Sequence, residues 1–170
     1  MNSTVDLSFR YLQSDYARAL RAHFASRMRL PLDIVVTFVL AVAGIYFWSS
    51  RGNHWLGVVC AGVSTALTLV LVAAFLVIPP LVFRSNPKFR DDYSLTFSQE
   101  GIHFRTAHID SKLEWSLYSR ALVDTYSHIL YYGSRDFTVI PKRVFQSTEQ
   151  QQAFEQLLTQ HVPEIVRRVK

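Results

Sequence analysis

A chain of 170 residues has room for one compact domain and a short extra segment, and its single cysteine, Cys60, excludes an internal disulfide or a cysteine-based metal site. The net charge of +5 is unevenly placed: five arginines stand against two aspartates in residues 1–30, whereas residues 84–170 carry 12 basic and 10 acidic side chains. The C-terminal part is nearly balanced, which argues against nucleic acid as a partner, and the positive excess lies beside an apolar middle crowded between Pro31 and Phe83.

In chain order, Val5-Asp6-Leu7-Ser8-Phe9 alternates apolar and polar residues and predicts a short strand. Ser14 or Asp15 then caps a helix in which Tyr16, Leu20, Phe24 and Met28 recur every four residues, with Arg18, Arg21, Arg27 and Arg29 around them. Such a basic amphipathic helix fits either a membrane interface or the face of a folded domain, and the pattern leaves both placements open.

Leu32 to Ser50 is interrupted only by Asp33 at its start, and Trp55 to Phe83 contains no charge. About 20 apolar residues cross a hydrocarbon core, and neither run shows a polar stripe. Two transmembrane spans are therefore expected at about residues 32–50 and 55–77. Pro79-Pro80 is expected to end or kink the second near Val77, leaving Leu81-Val82-Phe83 at the interface. Tyr46, Trp48 and Trp55 gather where the first span ends and the second begins, as at a headgroup boundary, and Asp33 reads as a helix cap. Cys60 reads as a small apolar residue of the span. Arg21, Arg27 and Arg29 precede the spans and Arg84, Lys88 and Arg90 follow them, against the lone Arg51 in the connecting loop. The expected arrangement is a multi-pass protein of the cell inner (plasma) membrane with both termini cytosolic, and no cleaved signal peptide.

From Asp92 the period changes to two. Tyr93-Leu95-Phe97, Ile102-Phe104, Leu113-Trp115-Leu117, Leu122 to Tyr126, Ile129 to Tyr132 and Phe137 to Ile140 make about six candidate strands, joined by breaks short enough for antiparallel hairpins. One of those breaks is Gly133-Ser134-Arg135. Ser147 with Gln150 resembles a capping box, and Phe154, Leu157, Leu158, His161 and Val162 form an apolar stripe at helical spacing. Pro163 ends that helix, and a basic tail through Lys170 follows. The expected fold class is an α+β membrane protein. It comprises an N-terminal strand and amphipathic helix (1–30), a two-helix transmembrane hairpin (31–83) and a C-terminal antiparallel β domain closed by a C-terminal helix (84–170). A bent pleckstrin-homology-like sheet and a flat sheet with a helix on one face share this pattern.

Glu100-Gly101-Ile102, Trp115, Leu130-Tyr131-Tyr132 and Ile140-Pro141-Lys142-Arg143-Val144-Phe145 before the helix bearing Phe154 together resemble the YcxB-like family, over about residues 5–160. The resemblance implies a bacterial membrane protein with two spans and a C-terminal pleckstrin-homology-like domain. It implies no catalytic residue, cofactor or metal.

Ser111, His108 and Asp110 lie within one turn, unlike triad partners, which converge from distant segments. His103 and His108 with Asp110 lack the spacing of a known zinc motif. The candidate contacts are basic: Arg27, Arg29, Arg84, Lys88 and Arg90 near headgroups, and Lys142 and Arg143 fixed behind Pro141 for headgroups or an acidic partner. The first hairpin loop, Ser98-Gln99-Glu100-Gly101, is acidic and predicts no inositol-phosphate site. The expected function is a membrane-anchored cytosolic binding module, not an enzyme and without a cofactor, whose partners are the lipid bilayer and a protein. One alternative is a homo-oligomer joined through the small residues Ala41, Ala43, Gly44, Gly57, Ala61 and Ser64. Another is a lipid-acting enzyme at the interface, which requires a pocket gathering His103, Glu114 and Asp124.

Overall fold

The structure is a computed structural model that describes residues 4–50, 53–133 and 136–168, with the backbone but not the side chain of Arg90. Arg51, the Ser134-Arg135 part of the expected hairpin break and the last two residues of the basic tail lie outside the described residues. The chain divides into two compact units: one joins its start, through Ala19, to everything from Phe83 onward, and the other is Leu20–Val82.

The Leu20–Val82 unit is built on α2 (Leu30–Ser49) and α3 (His54–Val72), which pack antiparallel. Both are long and apolar enough to cross a membrane. Their seam is made by small residues. A Cβ on Gly57 would lie 2.7 Å from the Trp48 nitrogen and 3.0 Å from the Gly44 carbonyl oxygen, and one on Gly44 would lie 3.1 Å from the Ala61 nitrogen. Ser64 Oγ donates across the seam to the Thr37 carbonyl at 3.0 Å. Gly44, Gly57, Ala61 and Ser64 thus meet one another within one chain, while Phe38, Ile45 and Leu69 face outward.

The tandem prolines do not end the second helix, which runs from His54 to Ser85 over 32 residues. Of the expected end or kink near Val77, the end is not found; instead a π-helical turn at Ala73–Val77 interrupts the regular helix and α4 (Ile78–Ser85) follows. Proline has no N–H and crowds the preceding turn, so a wider turn relieves the clash while the helix continues. The Phe75 carbonyl faces Pro79 in α spacing and Pro80 in π spacing, so it has no helical donor in either. Arg21 Nε, from the second half of α1 (Gln13–Arg27), donates to it at 2.7 Å.

The other unit contains two four-stranded sheets. The first has the order β1 (Val5–Arg10), β2 (Asp92–Phe97), β3 (Ile102–Arg105), β4 (Asp110–Leu113), all antiparallel. The N-terminal strand forms as expected, alternates buried and exposed residues, and pairs Val5 with Phe97 through to Arg10 with Asp92. The second has the order β7 (Phe137–Pro141), β6 (Ser127–Tyr131), β5 (Arg120–Asp124), β8 (Glu164–Arg168). After the hairpin, seven strands are thus found among the described residues where about six were expected, and the separately expected N-terminal strand joins them as β1. The stretch after Pro163, expected as a tail, forms β8 and pairs parallel to β5; α5 (Thr148–His161) supplies the crossover that parallel pairing needs.

Trp115 is not in the third strand of the domain. That strand ends at Leu113, and Trp115–Leu117 is a 3₁₀ turn carrying the chain from one sheet to the next. The apparent alternation was misleading because Trp115 is buried while Leu117 is exposed. The indole donates to the Ser98 carbonyl at 2.8 Å and stacks on His161. Ser147 caps α5 as expected, accepting from the Gln150 N–H at 3.2 Å. On the buried face of α5, the Phe154 ring lies 4.8 Å from Phe97 of β2 and 5.2 Å from His128 of β6. The helix therefore touches both sheets and closes one end of the gap between them.

Candidate functional site

The opposite end of that gap is open. There Phe9, Tyr11 and Tyr93 pack edge to face or stacked, and beyond them lies a cavity of about 560 Å³. Its wall is aromatic: the phenols of Tyr11, Tyr16, Tyr93, Tyr118 and Tyr132, and the rings of Phe89, Phe104 and Phe137. These come from the link between β1 and α1, from α1, β2, β3 and β7, and from the turns before β2, β5 and β7. Tyr16 is centred 4.2 Å from Phe89 and 6.4 Å from Phe137, so the first turns of α1 form part of the wall.

Asp15 fixes that turn. The helix starts at Gln13, ahead of the caps expected at Ser14 or Asp15; from the third helical position the Asp15 carboxylate reaches back to accept the Leu12 N–H at 3.1 Å, and it takes Arg143 Nε at 2.9 Å and Nη2 at 2.5 Å. Arg143 Nη2 also donates to the Arg10 carbonyl at 2.9 Å. Arg143, a candidate headgroup contact, is thus bound to the start of α1 in this structure.

All five phenols have pKa values raised by burial, Tyr93 to about 12, so each stays neutral at physiological pH. Three are engaged: Tyr11 donates to the Val139 carbonyl, Tyr93 to the Lys88 carbonyl at 2.8 Å, and Tyr118 is hydrogen-bonded to the Thr138 side chain. Tyr16 and Tyr132, whose phenols interact with each other, have hydroxyls without a hydrogen-bond partner among the described residues. Among the described residues, Lys88 and Asp136 are the formally charged members of the wall. At the rim Ile109, Leu117 and Tyr132 are each more than 40% exposed.

The other candidate contacts are dispersed. Arg27 closes the last turn of α1 and Arg29 precedes α2. Arg84 is in the last turn of α4, and Lys88 lines the cavity. Lys142 begins the 3₁₀ turn after β7, its N–H donating to the Tyr126 carbonyl. The Arg90 side chain lies outside the described part of the structure. His103 pairs with Asp110 at 2.5 Å, and the Asp110 carboxyl is held below its usual range first by that hydrogen bond. Glu114 accepts from Ser116, and none of His103, Glu114 and Asp124 lines the cavity. Among the described residues no three His, Cys, Asp or Glu side chains converge as a metal site would require.

The cavity escaped the sequence reading because its members come from segments far apart in the chain. The one available signal was the choice of tyrosine over phenylalanine at inward positions such as Tyr11, Tyr93 and Tyr118, where a buried hydroxyl must find a partner.

Residues 97–158 match the family described as YcxB-like protein. The match covers β3 to β7 and most of α5, and it leaves out β1, the two long helices and β8. It includes Phe104, Tyr118 and Tyr132 of the cavity but not Tyr11, Tyr16 or Tyr93. No curated protein and no solved structure matches the chain.

Proposed function

Starting from a chain whose residues 97–158 are YcxB-like, we propose that it is a membrane-anchored binding module. In this reading α2 and the long second helix lie in the bilayer, the β unit lies on the cytosolic side, and the aromatic cavity is where the module meets its ligand. Lipid as the solvent is supported by the apolar outward faces of both helices and by the excess of basic residues flanking them over the short loop. A pleckstrin-homology-like fold is supported by the order of β1–β4 in one sheet and β5–β7 in another, with α5 closing one end. The first strand then comes from before the hairpin, and β8 is an addition.

The cavity is the single observation behind the binding reading. Its volume falls in the range of about 300–1,000 Å³ usual for small-molecule sites, and its wall combines aromatic and aliphatic side chains with polar groups from Asn86, Lys88, Ser111, Asp136 and Thr138. Photo-crosslinking in intact cells tests it. A photoreactive residue at Leu117 on the rim is expected to give one reproducible adduct that the same residue at the exposed Gln152, away from the cavity, does not. Identical patterns from both positions refute the site. Anchoring is tested separately. With Cys60 replaced by Ala, a new cysteine at Asn53 is expected to react with a membrane-impermeant maleimide in intact cells, and one at Gln152 only after lysis.

A further inference from the structure

We propose that the cavity holds an uncharged, apolar molecule bearing hydrogen-bond-accepting oxygens, as quinones and acylglycerols do, and that Tyr16 and Tyr132 grip those oxygens. This rests on the reading of the cavity as the binding site and adds the class of ligand.

The electrostatics of the wall select for neutrality. Among the described residues of the wall, one lysine and one aspartate leave no net charge, so a multiply charged phosphate meets one cation and one like charge, and an organic cation meets the same balance. The phenols themselves add no charge, because a tyrosine is neutral at physiological pH and burial raises these five further. A protonated phenol in a poorly hydrated wall is a hydrogen-bond donor. The donors of Tyr11 and Tyr93 are consumed by the Val139 and Lys88 carbonyls, whereas those of Tyr16 and Tyr132 are free among the described residues. A ligand that buries these two hydroxyls must offer acceptors, or it leaves two desolvated polar groups unpaired.

Beside the polar Asn86, Ser111 and Thr138, the rest of the wall offers contacts to an apolar body. Phe89, Phe104 and Phe137 present rings, and Leu113 and Val139 fill between them. Ile109 and Leu117 at the mouth are among the few large apolar side chains that the β unit leaves exposed, and an apolar ligand passing them removes that surface from water. Planar carbonyl compounds suit both demands, since they stack on aromatic rings and accept from phenols at their edges. Glycerides meet the same demands through ester carbonyls and acyl chains.

The test uses the full chain in lipid nanodiscs. Calorimetric titration with decylubiquinone and, in a second arm, dioctanoylglycerol is expected to show saturable 1:1 binding to one of them beyond uptake by empty nanodiscs. Whichever binds identifies the source of the acceptor oxygens. The double variant Tyr16→Phe, Tyr132→Phe keeps both rings and is expected to weaken that binding about 10-fold or more, with an unchanged thermal unfolding profile. Binding of neither compound, binding unaffected by the double variant, or saturable binding of phosphocholine or inositol hexakisphosphate in their place overturns the proposal. A specific crosslink from Leu117 without binding of either uncharged compound means that the ligand class is wrong while the site stands; absence of both removes the site as well.

Discussion

His128 makes the β unit acid-sensitive between neutral pH and pH 5. The side chain is 0% exposed in β6, between the Phe145 and Phe154 rings, with Nε2 3.1 Å from Glu155 Oε1 and Nδ1 without a hydrogen-bond partner among the described residues. Burial is the main cause that lowers its pKa from 6.5 to about 4; the Glu155 hydrogen bond and charge oppose this, and the Lys142 and Arg167 charges add to it. In the unfolded chain the imidazole takes a proton near pH 6.5. Between pH 6.5 and 4 the unfolded state thus binds more protons than the folded one, and stability falls as the pH falls. From pH 7 to pH 5 the loss amounts to about 1.5 pKa units, or about 2 kcal/mol. Glu155 acts lower: burial pushes its carboxyl up, but hydrogen bonds from Gln151 and His128, with the His128 and Arg167 charges, more than reverse this, so its contribution is lost as the pH falls from the ordinary glutamate value through its lower folded one. The assay is urea unfolding at pH 7, 6 and 5, followed by Trp115 fluorescence with Trp48 and Trp55 replaced by Phe. Comparison with His128→Gln, which keeps a donor toward Glu155 but does not titrate, isolates the effect. The variant is expected to show a pH dependence flatter by about 2 kcal/mol over this range. Equal slopes for the two proteins refute the claim that His128 is held neutral by burial.

Three further perturbations test the packing. Arg21→Ala is expected to destabilise the Leu20–Val82 unit by about 1–2 kcal/mol by leaving the Phe75 carbonyl without a donor, and to cost far less when Pro79→Ala restores a helical N–H; a double-mutant cycle in bicelles reads the coupling, and additive effects refute it. Gly57→Ala places a Cβ 2.7 Å from the Trp48 backbone nitrogen, so the two helices must part; a cost of about 1–3 kcal/mol is expected in the same bicelle measurement. Asp15→Ala removes the acceptor shared by Leu12 and Arg143, with an expected loss of about 2 kcal/mol in urea unfolding and faster hydrogen exchange in the first turn of α1; Arg143 is 42% exposed, which keeps the figure below that of a fully buried pair.

Local patterns carried a large part of the architecture. The strand at Val5–Arg10 and helix α5 with its Ser147 cap follow from periodicity and capping chemistry, which act over a few residues. The reach of the apolar runs was equally plain, because length and the lack of a polar stripe are properties of the chain itself. The course of the helix through Pro79-Pro80 was not, since it involves a carbonyl whose donor comes from Arg21. Nor was the place of Trp115, whose burial depends on Ser98 and His161 more than on its immediate neighbours.

Composition and order alone determined that two long apolar helices interrupt a sheet-forming sequence, and that a capped helix follows the hairpins. Only the tertiary structure decided that β1 pairs with β2 across the whole hairpin, that the residues after Pro163 become a parallel edge strand, and that five tyrosines share one cavity. The division has a physical cause. Helix and strand periods are written in neighbouring residues, whereas a strand's partner and the walls of a cavity are fixed by which distant apolar surfaces bury one another.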